Sequence, residues 1–203
     1  MGENFVNYQI RLDSISDVTR VIKDITTARA YVSPPKNGWI TVYDQTSDYK
    51  QQESEIRYLC QQLSSILSSA VFCFFVFSGL HFIYLLYDKG ELVDEFFDNP
   101  DAFEFGYEQA NDAVLERFQG QPERLLKYCL PGTKLELVSR ILQFSREKNL
   151  DYMGQEAVYQ LAILLGINVD RATIGYSYFE DDSLYNETAP TIEDAEEFIL
   201  VQR

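Results

Sequence analysis

The chain has 203 residues, with 32 acids against 17 bases, a formal net charge of −15 at pH 7 and a pI near 4.4. That charge excludes nucleic acid as an expected partner, because phosphate contacts draw on Lys and Arg, and it offers no attraction to the anionic inner leaflet of a membrane. Hydrophobic residues make up 46% and aromatic residues 14%, so the chain can bury a sizeable core and is not disordered as a whole.

Tyr8, Ile10 and Leu12 alternate, which predicts a first strand within residues 4–12. Ser16 reads as the N-cap of a short helix whose inward face is Val18, Val21, Ile22 and Ile25. Residues 29–33 and 38–44 flank Pro34-Pro35-Lys36-Asn37 and predict a hairpin. Ser47 reads as the cap of a longer helix, with Ile56, Leu59, Cys60, Leu63, Ile66 and Leu67 on one side. Residues 70–87, AVFCFFVFSGLHFIYLLY, form 18 positions without a formal charge. The Ser78-Gly79 break, the aromatic and β-branched content and the lack of basic flanks favour two buried strands, 70–77 and 80–87, over a membrane span. Asp88-Lys89-Gly90-Glu91 then turns the chain into a strand at 92–97.

The order to residue 77 is βαββαβ, which predicts an α+β protein with a ferredoxin-like core extended by two strands over residues 1–98. Residues 99–203 read as a mainly helical, acidic part packed on that sheet. Helices are expected at 109–118, from Pro122 through Leu125, Leu126 and Cys129, from a Thr133 cap through Leu135, Val138, Ile141, Leu142 and Ser145, and at 154–165 ending on Gly166. Beyond Thr173 periodicity fades, but Tyr176, Tyr178, Phe179, Tyr185 and Phe198 argue that parts of the tail lie on the body.

Cys60, Cys73 and Cys129 are odd in number, form no CxxC pair and sit among apolar neighbours, so they read as reduced core residues. The first residues lack the basic and apolar regions of a secretion leader, which makes the cytoplasm the expected address. No GxGxxG, GxxxxGK[ST], GxSxG or HExxH occurs, one His and three scattered Cys argue against structural zinc, and neither acidic stretch follows the EF-hand pattern. No cofactor is therefore expected.

Two sets of residues stand out. Residues 1–90 carry a net charge of −1 and residues 91–203 a net charge of −14, so the acidity belongs to the second half. Asp94, Glu95, Asp98, Asp101, Glu104, Asp181 and Asp182 are its candidate interaction surface, suited to a basic protein. Trp39 and Tyr43 share one strand parity and read first as core, second as a ligand platform; with Asp44 and the lone His81 they form the candidate pocket. His81 has no nucleophile or orienting acid at a recognisable spacing.

The stretches GWITVYD (38–44), LSSILSS (63–69) and LYDKGELVDEFFDNPDAF (86–103) resemble those of an uncharacterised group of bacterial proteins. That group has similar WxTVYDE, LSxxL and LYDxGxLVDEFxSxPDYF stretches and an AxLLGI-like turn, here Ala162 to Ile167. Gln45 stands where the group has Glu, and Ala102 where it often has Tyr. The resemblance implies a bacterial cytoplasmic origin and carries over no activity.

The expected function is a non-enzymatic interaction or regulatory module, an immunity-type inhibitor being one form of it, that binds a basic partner with its acidic half. The rival is an enzyme or small-molecule sensor with a pocket between sheet and helical part, where Asp44, Asp94 and Glu95 would supply acid or base groups. Open strand edges leave a homo-oligomer as a third reading.

Overall fold

Every residue of β1 (Phe5–Ile10) is buried, with Val6, Tyr8 and Ile10 facing one layer of helices and Phe5, Asn7 and Gln9 the other. The computed structural model describes residues 4–102, 111–144, 154–180 and 192–202. Helix α1 (Ile15–Ile25) follows, burying Val18, Val21 and Ile22. Its N-cap is Ser14, whose Oγ accepts the Asp17 N–H at 3.4 Å, and the expected cap Ser16 only shares a hydroxyl contact with Ser14. The helix thus begins two residues early, because Ser14 and not Ser16 stands three residues ahead of a free helical N–H.

Strands β2 (Ala30–Val32) and β3 (Ile40–Asp44) form the expected hairpin. Lys36 and Trp39 exchange backbone bonds of 2.9 and 3.0 Å around Asn37 and Gly38, both at positive φ, the geometry that matches the strand twist. The expected Ser47 cap is corrected: Asp44 caps α2 (Gln45–Lys50), and Ser47 lies inside that helix. The carboxylate accepts both the N–H and the hydroxyl of Ser47 at 2.8 Å, which fixes the helix start at the strand end. Gln51, at φ 50°, separates α2 from α3 (Glu53–Leu67), which buries Ile56, Leu59, Cys60 and Leu63 as periodicity predicts, while Leu67 is only partly buried and Ile66, expected on the same side, is exposed.

The uncharged run forms β4 (Ala70–Phe77) and the start of β5 (His81–Asp88), paired from Ala70↔Asp88 to Phe77↔His81, and β6 (Glu91–Phe97) pairs with β5. Among the described residues no helix is long and apolar enough to cross a membrane. The second half contributes α4 (Asp112–Phe118), α5 (Pro122–Leu125), α6 (Leu135–Ile141), α7 (Gly154–Leu165) and α8 (Val169–Ala172). Thr133 does not cap α6; Lys134 holds that position, and the Thr133 hydroxyl donates to Leu130 O instead. Ser145 and Tyr185 lie outside the described residues.

The sheet has seven antiparallel strands in the order β6-β5-β4-β1-β3-β2-β7. The expected extension by two strands is exceeded, because β7 (Ile199–Val201) adds to the β2 edge through Tyr31↔Leu200 and its neighbours. Three residues are too few to show a period, so nothing local announced this strand. One face of the sheet packs on α1 and α3. The other sets Phe72, Phe74, Phe82, Tyr84 and Phe96 against Leu125, Val138, Ile141, Val158 and Leu161 of α5, α6 and α7. Beyond them Tyr31, Tyr43, Tyr176, Phe179 and Phe198 cover the β2–β3 end. Covering on both faces explains why residues 70–76 carry no polar alternation.

Candidate functional site

The acidic residues at the end of β6 face inward. Asp94, 5% exposed, accepts the Tyr84 hydroxyl at 2.6 Å and the Gln121 N–H at 3.0 Å on the same oxygen, Oδ2. Burial pushes its carboxyl above the usual range, and the two hydrogen bonds pull in the opposite direction. Glu95, on the other face, lies between Arg57 Nη2 of α3 at 2.5 Å and Arg117 Nε of α4 at 2.9 Å, while Glu53 takes Arg57 Nε at 2.6 Å. Asp98 is fully buried, accepts the Phe82 N–H at 3.1 Å and stands 3.5 Å from His81 Nδ1.

Three of the candidate surface acids, Asp94, Glu95 and Asp98, are therefore interior groups that fasten β6 to its neighbours. The reason is that α4, the turn at Gly120-Gln121 and α3 cover this edge strand on both faces, replacing water with fixed donors. Asp101 is half-buried, and Glu104, Asp181 and Asp182 lie outside the described residues.

The four candidate pocket residues do not converge. Trp39 and Tyr43 share a sheet face, as their parity predicts, but both are filled over by helices: Trp39 Nε1 donates to Leu165 O at 3.1 Å and Tyr43 OH to Arg171 O at 2.7 Å. They anchor the end of α7 and the end of α8. Asp44 points to the opposite face, and His81 sits at the far end of β5, stacked on Phe77 with ring centroids 6.3 Å apart.

Asp44 instead closes the floor of a cleft between the end of α1, α2 and α3. Thr26 Oγ1 donates to Asp44 Oδ2 at 2.9 Å; since the Ser47 hydroxyl donates to Asp44, Tyr8 OH must donate to Ser47 Oγ, at 2.7 Å. Burial pushes the Tyr8 hydroxyl well above its ordinary range, so Tyr8 keeps its proton and stays a donor to Ser47. The neighbouring Asp48 accepts Val6 N–H at 2.9 Å and Ser177 N–H at 3.0 Å, and burial raises its carboxyl too. Gly175 is bare where a Cβ would stand 2.3 Å from Asp48 Oδ1, which is how the chain before Tyr176 comes this close. The cleft, open to solvent, has a volume of about 310 Å³, and Thr27, Thr46, Lys50, Ser54, Glu55 and Tyr58 line its walls.

A second, apolar slot of about 30 Å³ runs between α3 and the β4–β6 strands, lined by Ile56, Cys73, Phe75, Ile83, Leu85 and Phe97 beside the Arg57–Glu95 pair. The interval between sheet and helical part, where the enzyme reading put its pocket, is packed with the aromatic core. Among the described residues no group of three or more His, Cys, Asp or Glu side chains is placed to hold a metal ion. Sequence reasoning missed Arg171 and the linkage of Tyr8 to Asp44 through Ser47, because nothing local in the sequence signals these long-range bonds. Tyr8 reads there only as a strand residue and Ser47 only as a helix cap.

Compared with models of known protein families, with curated proteins and with solved structures, the chain matches none.

Proposed function

We propose that this chain is a protein-interaction module without a reaction of its own, and that it meets a basic, amphipathic partner on the helical layer of its acidic half. One observation carries the reading: α7 is apolar on two sides, and one of them is left uncovered by the described residues. Ala157, Val158, Leu161, Ala162 and Leu165 pack on the sheet, while Tyr159 and Ile163, spaced four apart on the outer side, are 40% and 44% exposed. A helix with apolar residues all round is ordinarily buried all round, so the outer stripe fits an interface. Glu156 flanks that stripe one turn earlier, and the half to which α7 belongs has a net charge of −14, carried almost wholly by residues 91–110 and 181–203 on either side of the helices in the sequence. Those acidic stretches favour a cationic partner and steer it in.

The order β4-β1-β3-β2 with α1 and α3 as crossovers supports reading a ferredoxin-like core inside the larger sheet, with the interaction layer built on its second face.

The test is titration with a synthetic amphipathic Lys/Leu helix, followed by amide resonances at low and high salt. Binding that maps to α7, weakens with salt and falls about tenfold in the Tyr159→Ser/Ile163→Ser double variant is the expected result. Binding that ignores both salt and the double variant overturns the reading. Doubling of the mass in light scattering, abolished by the same variant, would assign the stripe to a second copy of the chain instead.

A further inference from the structure

We propose that the cleft between the end of α1, α2 and α3 binds a small zwitterion of free amino-acid size, with Lys50 taking its carboxylate and Glu55 its ammonium. The inference is independent of the interaction role, because the cleft lies on the opposite face of the sheet from α7.

Four observations converge on that ligand class. The cleft is open to solvent and its volume, about 310 Å³, suits a molecule of amino-acid size and sits at the low end for ligand sites. The floor is preorganised, since Asp44 is saturated by Thr26, Ser47 and the Ser47 N–H and cannot collapse into the cleft. The two charged groups at the mouth are loosely engaged: Lys50 Nζ stands 3.7 Å from Glu55 Oε1, beyond hydrogen-bond distance, and the two side chains are 56% and 42% exposed. An exposed pair of this kind contributes little to stability, so exchanging it for two ligand charges sacrifices little. Finally, Glu55 Oε2 is buried without a hydrogen-bond donor among the described residues, and a rotation that brings it to an ammonium relieves that deficit.

Opposite charges at the mouth distinguish the site from one for a neutral sugar, which gains nothing from either charge, and from one for a simple anion, which Glu55 repels. Thr27, Thr46 and Ser54 stand along the rim as hydroxyl donors, and Tyr58 and Leu59 provide an apolar wall for a side chain.

The experiment is an amide-resonance titration of the intact chain with glycine, glutamine and phenylalanine, with acetate and methylamine as half-ligands and glucose as a neutral control. Saturable shifts confined to Thr27, Thr46, Lys50, Glu55 and Tyr58, with each half-ligand at least about tenfold weaker, are expected. Lys50→Ala and Glu55→Gln should each weaken binding about tenfold; circular dichroism checks that these surface variants remain folded. The proposal is overturned if no amino acid gives saturable shifts at the cleft, if acetate, methylamine or glucose binds as well as the zwitterions, or if both variants bind normally.

Discussion

Arg171 holds Asp194, tying α8 to the segment that leads into the last strand of the sheet. Arg171 is 1% exposed, donates to Ser33 Oγ at 3.1 Å and to Pro34 O at 2.6 Å, and its guanidinium lies 5.2 Å from the centre of the Phe198 ring. One side chain thus joins the β2–β3 hairpin, α8 and the approach to β7.

Removing Asp194 leaves a buried cation with neutral acceptors only. Asp194→Ala should therefore cost about 3 kcal/mol, whereas the double variant Arg171→Met/Asp194→Leu, which removes the charge with its partner, should cost markedly less. Urea unfolding of the three proteins measures the difference. Amide hydrogen exchange in Ala30–Val32 should speed up in Asp194→Ala, because β7 is the strand that shields that edge.

Asp94 makes a stability profile with a definite sign. Burial raises its carboxyl in the folded chain above the unfolded value, so the native state binds the proton more tightly and stability falls as pH rises through the window between the two. Asp94→Asn keeps one oxygen for Tyr84 and Gln121 and removes the titration. The variant should gain on the parent from about pH 4 upward and run parallel to it below that, as read by denaturant midpoints across pH.

The single tryptophan reports the docking of α7. Trp39→Phe deletes the bond to Leu165 O and some buried volume, and should cost about 2 kcal/mol. Tyr159→Ser, on the uncovered side of the same helix, should stay within about 0.5 kcal/mol. Thermal unfolding by circular dichroism separates the two.

The thiols should be inert in the folded chain. Burial pushes Cys60 and Cys73 well up, and it pushes Cys129 up to about 11. A thiol reagent at mildly alkaline pH should find no fast-reacting cysteine in the native protein and three after unfolding, with Cys129 the first to respond as pH approaches 11.

Local pattern was enough for most elements. The spacing of Val18, Val21 and Ile22, of Ile56, Leu59, Cys60 and Leu63, and of Val158, Leu161 and Leu165 named the buried faces of α1, α3 and α7, because a 3.6-residue period is a property of the chain itself. Gly79 and Gly90 likewise marked turns and both have positive φ, whereas Gly38, read as the start of the strand 38–44, lies in the turn with Asn37. Caps were less legible: Ser14, Asp44 and Lys134 took positions assigned to Ser16, Ser47 and Thr133, since several short polar residues lie within reach of each helix start and geometry selects among them.

The carboxylates show the boundary most clearly. Composition alone determined that the chain is acidic and that the excess lies after residue 90, since charge is counted without coordinates. Which acids remain on the surface was decided by tertiary structure: Asp94, Glu95 and Asp98 look like the start of an acidic face, yet each is met by donors from distant segments, Gln121, Arg57 and Phe82 among them. The same holds for the cleft, where Thr26 reaches Asp44 and Tyr8 reaches Ser47 only because β1, the end of α1 and α2 are brought together by folding. Periodicity fixes which side of an element is apolar; the partner across it is fixed by long-range packing, which no short window of sequence contains.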